Sequence, residues 1–185
     1  MRFSEGLAWA RSQVGGEERD GFVDRSGKWV IPAVYSAVRS FSEGLAQARK
    51  NSEDPWSFID KTGKVVFTTQ SQEGHAFSEG LAAVQIVQEQ GREIWQYVDR
   101  TGKVVLPNLR YRFAGIFREG VAFVEDDRLG WGLIDRTGKV ILKPQLTGIS
   151  LFHHGLARVE TGAFFKGVGI GYIDTHGKWV WKPQK

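Results

Sequence analysis

Carboxylates recur along this chain at fixed places. Asp24, Asp60, Asp99, Asp135 and Asp174 each open an Asp-x-x-Gly-Lys stretch followed by three apolar residues. Five such carboxylates could in principle ring a metal ion. Their setting argues for a simpler chemistry, because an Asp at the start of a tight turn hydrogen-bonds backbone two residues on, while the glycine supplies a positive φ. Glu5, Glu43, Glu79 and Glu119 stand just before a second recurring glycine, and a carboxylate there is expected to accept backbone N–H groups in a bend. A catalytic acid has no reason to recur in every copy of a repeat, so these residues are assigned to the fold. The four histidines, His75, His153, His154 and His176, lack metal-ligand spacing, and the chain has no cysteine to complete a metal site or to act as a thiol nucleophile. Lys166 to Gly171 is glycine-rich but matches neither phosphate-binding spacing, and no helix follows it. The remaining opening for an enzyme is the acid pair Asp126 and Asp127, and no nucleophile signature supports it.

The elements that carry these residues follow from the same motifs. An aromatic residue or Leu and then a β-branched residue precede each Asp, so the unit reads strand, tight turn, strand. A second motif alternates with it: Phe3-Ser-Glu-Gly-Leu-Ala8, then Phe41 to Ala46, Phe77 to Ala82, Phe117 to Ala122 and Phe152 to Ala157. The Phe-to-Phe intervals are 38, 36, 40 and 35 residues, in the range of solenoids, propellers and arrays. Five copies are expected, at approximately residues 1–38, 39–75, 76–114, 115–149 and 150–185. Each should be a three-stranded antiparallel meander, with the crossover able to add a fourth short element and almost no helix.

From Asp to the next Phe the distance holds at 17 or 18 residues, so that connection is expected to be packed. From Phe to its own Asp it varies from 18 to 22, which places the variation in the loop between strands one and two, spanning Ser12 to Arg19 in the first copy. Strands two and three carry apolar residues on both faces, as at Phe58-Ile59 and Trp179-Val180-Trp181, so neighbouring copies are expected to cover both sides. The fold class is therefore all-β. A propeller-like ring of five sheets is favoured over an open β-solenoid, because the repeats run from residue 3 almost to the last residue without capping segments.

The pattern resembles the WG-repeat family of bacterial proteins, whose unit runs Phe-x-Glu-Gly-Leu-Ala, a short loop, Trp-Gly-Tyr-Ile-Asp and x-x-Gly-Lys-x-Val-Ile-Pro. Both halves occur in all five copies. Trp-Gly itself is intact at Trp131-Gly132 and is replaced by Asp20-Gly21, Trp56-Ser57, Trp95-Gln96 and Ile170-Gly171 elsewhere. The resemblance implies a β-repeat that binds or scaffolds, and it brings no catalytic residues.

Composition adds bounds. Hydrophobic residues make up 41% of the 185 residues and charged ones 25%, as in ordinary globular proteins, and the net charge is +4. Basic residues flank the hairpins, among them Arg25, Lys28, Lys61, Lys64 and Arg136, and on one rim they could meet an acidic protein. Solvation alone accounts for charged turns, and nucleic acid is not expected. No apolar run approaches the roughly 20 residues that cross a bilayer, and the first motif starts at Phe3 with no room for a signal segment, so a cytoplasmic location is expected. Because shared positions serve the fold, candidate binding residues lie where copies differ. They are Phe164, Phe165 and Lys166 in the last loop, Gln90 and Arg92 in the third, and Tyr111 and Arg112 in a crossover. The expected function is a non-catalytic protein-binding module without a cofactor, of an inhibitor or immunity type, with a carbohydrate- or cell-wall-binding module as the alternative.

Overall fold

A computed structural model describes residues 2–70, 73–87, 93–162 and 169–182, and it contains no helix among them. Five antiparallel sheets follow one another in chain order. The first comprises β1 (Ala8–Val14), β2 (Glu17–Val23) and β3 (Trp29–Tyr35). The second comprises β4 (Ala37–Val38), β5 (Ala46–Arg49), β6 (Ser57–Ile59) and β7 (Val65–Thr68), and the third β8 (Ala82–Val87), β9 (Glu93–Val98) and β10 (Val104–Leu109). The fourth comprises β11 (Phe113–Ala114), β12 (Val121–Asp126), β13 (Gly130–Asp135) and β14 (Val140–Leu146). The fifth comprises β15 (Gly148–Ile149), β16 (Leu156–Thr161), β17 (Gly169–Asp174) and β18 (Trp179–Trp181). The crossover supplies the short strands β4, β11 and β15, each added to the sheet that follows it.

The hairpins form as their residues require. In the first, Asp24 Oδ1 accepts from the N–H groups of Ser26 and Lys28 and from the Ser26 hydroxyl, while Gly27 takes φ +83°. Asp60, Asp99 and Asp135 repeat this set with Thr62, Thr101 and Thr137. The fifth turn has His176 at the hydroxyl position, and there Asp174 accepts from two backbone N–H groups only. The bends are a second kind of turn. In four of them a Glu adopts φ of 52–54° and the following glycine is also positive, with reciprocal bonds such as Ser4 N–H to Leu7 C=O at 2.8 Å and Leu7 N–H to Ser4 C=O at 3.1 Å. Two successive left-handed residues make a tight reversal, and a non-glycine residue holds that conformation only where its surroundings stabilise it.

Sheets stack face to face, and each interface has its own core. Phe22 meets Phe41 at 4.7 Å between ring centroids, Phe58 meets Phe77 at 5.0 Å and Tyr97 meets Phe117 at 4.7 Å. Leu133 and Phe152 share the core between the last two sheets. Strand two is covered on both faces, as Asp20 to Val23 show in the first copy. Strand three departs from expectation. Val65, Val66, Val104, Val105 and Val140 are all exposed, because this strand lies towards the sheet edge and offers only one face to a neighbour. The first loop is also shorter than expected. β1 and β2 pair as far as Val14 and Glu17 and close through Gly15-Gly16, both at positive φ.

The glycine of Trp-Gly has a steric role. A Cβ on Gly132 would lie 2.6 Å from the Leu142 carbonyl oxygen and 2.7 Å from the Pro144 nitrogen, and one on Gly21 would lie 2.5 Å from the Ile31 oxygen. In both copies the register skips there, from Trp131↔Leu146 to Leu133↔Leu142 and from Asp20↔Tyr35 to Phe22↔Ile31, so the third strand bulges over the glycine. At Ser57 the register is unbroken, pairing Ser57 with Thr68 and Phe58 with Phe67, and the side chain fits.

Candidate functional site: the loop rim

Strand direction sorts the connections onto two rims. Strand one leaves the bend and ends at the variable loop, strand two returns to the Asp hairpin, and strand three climbs again. Bends and Asp hairpins therefore share one rim, and variable loops share the other with the crossovers.

The hairpin rim is tied together from copy to copy. Glu5 accepts from Gly44 N–H at 3.0 Å, Glu43 from Gly80 at 2.8 Å, Glu79 from Gly120 at 3.0 Å and Glu119 from Gly155 at 2.6 Å. The hydroxyls of Ser4, Ser42 and Ser78 donate to the Phe41, Phe77 and Phe117 carbonyls of the next bend. The basic residues join this ladder. Lys61 donates to the Glu5 carbonyl and pairs with its carboxylate at 3.2 Å, and Arg136 donates to the Glu79 carbonyl at 2.7 Å. The basic flank thus acts in part as a staple between copies. An open cleft of about 480 Å³ between the fourth and fifth hairpins is lined by Asp135, Lys139, Thr175 and His176, and its Asp135 is already engaged by its own turn. Hydrogen bonds hold the carboxyls of Asp24, Asp60, Asp99 and Asp135 below the usual aspartate range, that from the neighbouring hydroxyl first, as expected of turn carboxylates. Among the described residues, no three His, Asp or Glu side chains converge as a metal site.

The loop rim differs from copy to copy. Arg11 bridges Asp20 at 2.7 Å and Glu18 at 2.9 Å across the first hairpin, and Arg19 donates to the Lys50 carbonyl of the next loop at 2.7 Å. In the fourth loop Asp126 accepts from Arg128 N–H at 2.9 Å and Leu129 N–H at 3.0 Å, bonds that lower its pKa. Leu129 is left 63% exposed at that tip, and Val87 and Val14 stand at other strand ends with exposures of 61% and 50%. Of the residues expected from sequence, Tyr111 and Arg112 lie on this rim. Tyr111 is half-buried against the core between the third and fourth sheets. Arg112 extends towards Glu125 at 4.0 Å, while its carbonyl accepts from the buried Trp95 indole at 3.0 Å. Beneath them Trp95, Phe113, Phe123 and Trp131 form a ring cluster with centroids 5.3–6.0 Å apart. Gln90, Arg92, Phe164, Phe165 and Lys166 lie outside the described residues. Val14, Val87 and Leu129 were not singled out from sequence, since an apolar residue at a strand end or in a short turn resembles any other strand residue; the unequal loop lengths were the available signal.

Sheets of one plan, linked by a repeated polar ladder and ending in unlike loops, define a tandem β-repeat scaffold of propeller-like build. The chain belongs to the WG containing repeat family, whose pattern matches residues 21–53, 56–86, 95–128 and 131–163. In line with that family and fold, it is a β-repeat scaffold. No curated protein matches the chain in sequence. In structure it is similar to BamB from Moraxella catarrhalis, with a TM-score of 0.53 and 14% identity over 96% of this chain and 57% of that one. It is also similar to the uncharacterized protein lmo1340 from Listeria monocytogenes EGD-e, with a TM-score of 0.56 and 10% identity over 91% of this chain and 60% of that one. The chain thus spans about three-fifths of the length of each. The expected cytoplasmic location is corrected by these matches. That expectation rested on the lack of a bilayer-length apolar run and on where the first repeat begins, neither of which carries information about compartment.

Proposed function

We propose that the chain is a protein-binding module that meets its partner with the loop rim, in the manner of an inhibitor or immunity-type protein. The observation that carries this reading is the set of exposed apolar tips Val14, Val87 and Leu129, set among tethered polar loops on one rim. Apolar anchors within a polar surround are how protein interfaces are built. Arg112, beside this rim's ring cluster, is the basic anchor, and Phe164, Phe165, Lys166, Gln90 and Arg92 belong to the same proposal by their place in the chain. Acidic side chains such as Glu18, Asp54, Asp126 and Asp127 stand among the basic ones, so the surface suits a partner of mixed charge better than a strongly acidic one.

A carbohydrate-binding module would repeat one aromatic at one exposed position. Trp29 and Trp179 occupy equivalent places, where the other copies have Val65, Val104 and Val140, and Trp179 packs against the last core. The aromatic platform is thus absent from three copies of five, which favours the protein partner.

The test compares three forms of the chain in capture from its own cells, with partners identified by mass spectrometry. Val87→Asp with Leu129→Asp should lose the partner that the native chain retains, whereas Lys64→Glu with Lys139→Glu on the hairpin rim should keep it. Equal recovery by the native and loop-rim forms would refute the site. Binding of the native chain to cell-wall polysaccharide, abolished by Trp29→Ala, would refute the reading in favour of the alternative.

A further inference from the structure

At the first three interfaces between copies a basic side chain spans the hairpin rim in the same way. The residue that follows the hairpin Asp reaches back to the bend of the copy before. Lys61 donates to the Glu5 carbonyl at 3.1 Å and pairs with the Glu5 carboxylate at 3.2 Å, and Arg136 donates to the Glu79 carbonyl at 2.7 Å. Arg100 takes the same place over the second bend, its guanidinium 3.0 Å from where a Cβ on Gly44 would stand. An ammonium and a guanidinium thus fill one kind of seat, whose acceptors are the bend glutamate's carbonyl and, at Glu5, its carboxylate.

At the fourth interface this position belongs to Thr175. Its side chain carries no charge and ends at the γ atoms, so it cannot make the reach of Lys61 or Arg136. The open cleft of about 480 Å³ lies here, lined by Glu119 and Thr175, by Val121, Val140 and Ile141, and by Lys139, Asp135 and His176. Glu119 is exposed where Glu43 and Glu79 are half-buried, and nothing beyond its chain neighbours lies within 4 Å of where a Cβ on Gly120 would stand. The interface holds without the staple, because Glu119 still accepts from Gly155 N–H at 2.6 Å. Lys139 does not bar a cation, since the equivalent Lys28, Lys64 and Lys103 occupy the same turn position at the filled seats. Asp135 brings a second carboxylate, whose turn bonds all end on Oδ1.

We propose that this cleft binds a small molecule carrying a guanidinium or ammonium on an aliphatic stem. The cationic head takes the seat at Glu119 that Lys61 and Arg136 take at Glu5 and Glu79, and the stem lies along Val140 and Ile141. The cleft is larger than one side chain needs and falls within the roughly 300–1,000 Å³ of small-molecule sites, which favours a free ligand over a partner's arginine. It opens on the rim opposite the variable loops, so it is independent of the protein-binding surface proposed above.

The site is tested by amide chemical shifts with n-propylguanidinium, an arginine side chain without its backbone, and with its neutral counterpart n-propylurea. The guanidinium should move the Gly120, Thr175 and His176 amides saturably, with a dissociation constant on the order of millimolar, and the urea at the same concentrations should leave them in place. Glu119→Gln, whose amide oxygen can still accept from Gly155, should bind about tenfold more weakly. Thr175→Arg should rebuild the staple, raise the melting temperature and abolish the shifts. Arg136→Thr should do the reverse at the preceding interface and open a second site of like affinity beside Gly80, so that the melting temperature it loses is recovered by n-propylguanidinium and not by n-propylurea. Equal shifts with the urea, unchanged binding in Thr175→Arg or the lack of a second site in Arg136→Thr would overturn the proposal. So would saturable binding of a blocked Gly-Arg-Gly peptide with none of n-propylguanidinium, which would assign the head to a partner protein's arginine.

Discussion

Truncating the bend phenylalanine should be expensive in the inner copies and cheap in the first. Phe77 is 2% exposed and lies between Phe58 at 5.0 Å and Phe67 at 6.3 Å, both held in strands that cannot close the gap. Removing its ring forfeits a transfer term of about 1.5–3 kcal/mol and leaves a cavity, so Phe77→Ala should cost about 3–5 kcal/mol. Phe3 is 39% exposed, so only about three-fifths of the transfer term is at stake and no closed cavity forms, which gives about 1–2 kcal/mol for Phe3→Ala. For a chain of this length each kcal/mol moves the melting temperature by about 2–4 °C, so the inner variant should melt on the order of 10 °C lower. Urea unfolding followed by circular dichroism at low micromolar concentration measures both. The inner variant should also unfold over a broader range, since losing an interface uncouples neighbouring repeats. Equal losses for Phe77→Ala and Phe3→Ala would show that the first bend is buried, and would refute this account of the stacking.

Two further outcomes follow from the turns and bulges. Gly132→Ala should cost about 1–3 kcal/mol by forcing a Cβ into the backbone of the bulged third strand, as read from chemical denaturation. Ser57→Ala, at the equivalent position where the register is unbroken, should cost less than half as much. Acid should weaken the fold through the hairpin aspartates. Their pKa values are lower folded than unfolded, so the folded chain binds fewer protons; the stability they give is present above the ordinary aspartate range and is lost as pH falls through the folded values. Urea midpoints should therefore be flat near neutrality and fall below about pH 4, and a midpoint unchanged down to pH 2 would count against the turns' contribution.

The hairpins were legible because their chemistry is local. Asp and Gly three residues apart specify the turn whatever surrounds it, and Asp24 to Lys28 forms the bonds its letters imply. The bends were half legible. Their reversal could be read from Glu-Gly, but the acceptor role of Glu5 is completed by Gly44, 39 residues away, and no local pattern states which N–H a carboxylate will meet. The third strands misled for a related reason: Val65-Val66 reads as buried on both faces, while burial depends on where the strand falls in the sheet. Gly15-Gly16 was legible in principle as a two-residue hairpin turn, and the low apolar content around it made it read as a longer loop. The rim assignment needed only strand direction, so it was within reach of the sequence; the exposure of Val87 and Leu129 was not.

The two rims answer to different constraints, and this is why the binding surface proposed above is assigned to the loop rim. On the hairpin rim Lys61, Arg136, Ser42 and Glu43 all hold a neighbouring copy, so a change that suited a partner there would also loosen the stack. Loop-rim bonds such as Arg11 to Asp20 and Asp126 to Leu129 close within a single copy, and Arg19 to Lys50 is an exposed exception. Loop lengths can therefore differ, from Gly15-Gly16 to the three residues between Asp126 and Gly130, while the spacing from Asp to the next Phe stays at 17 or 18. A surface free to change without cost to the stack is the one on which a scaffold can acquire specificity.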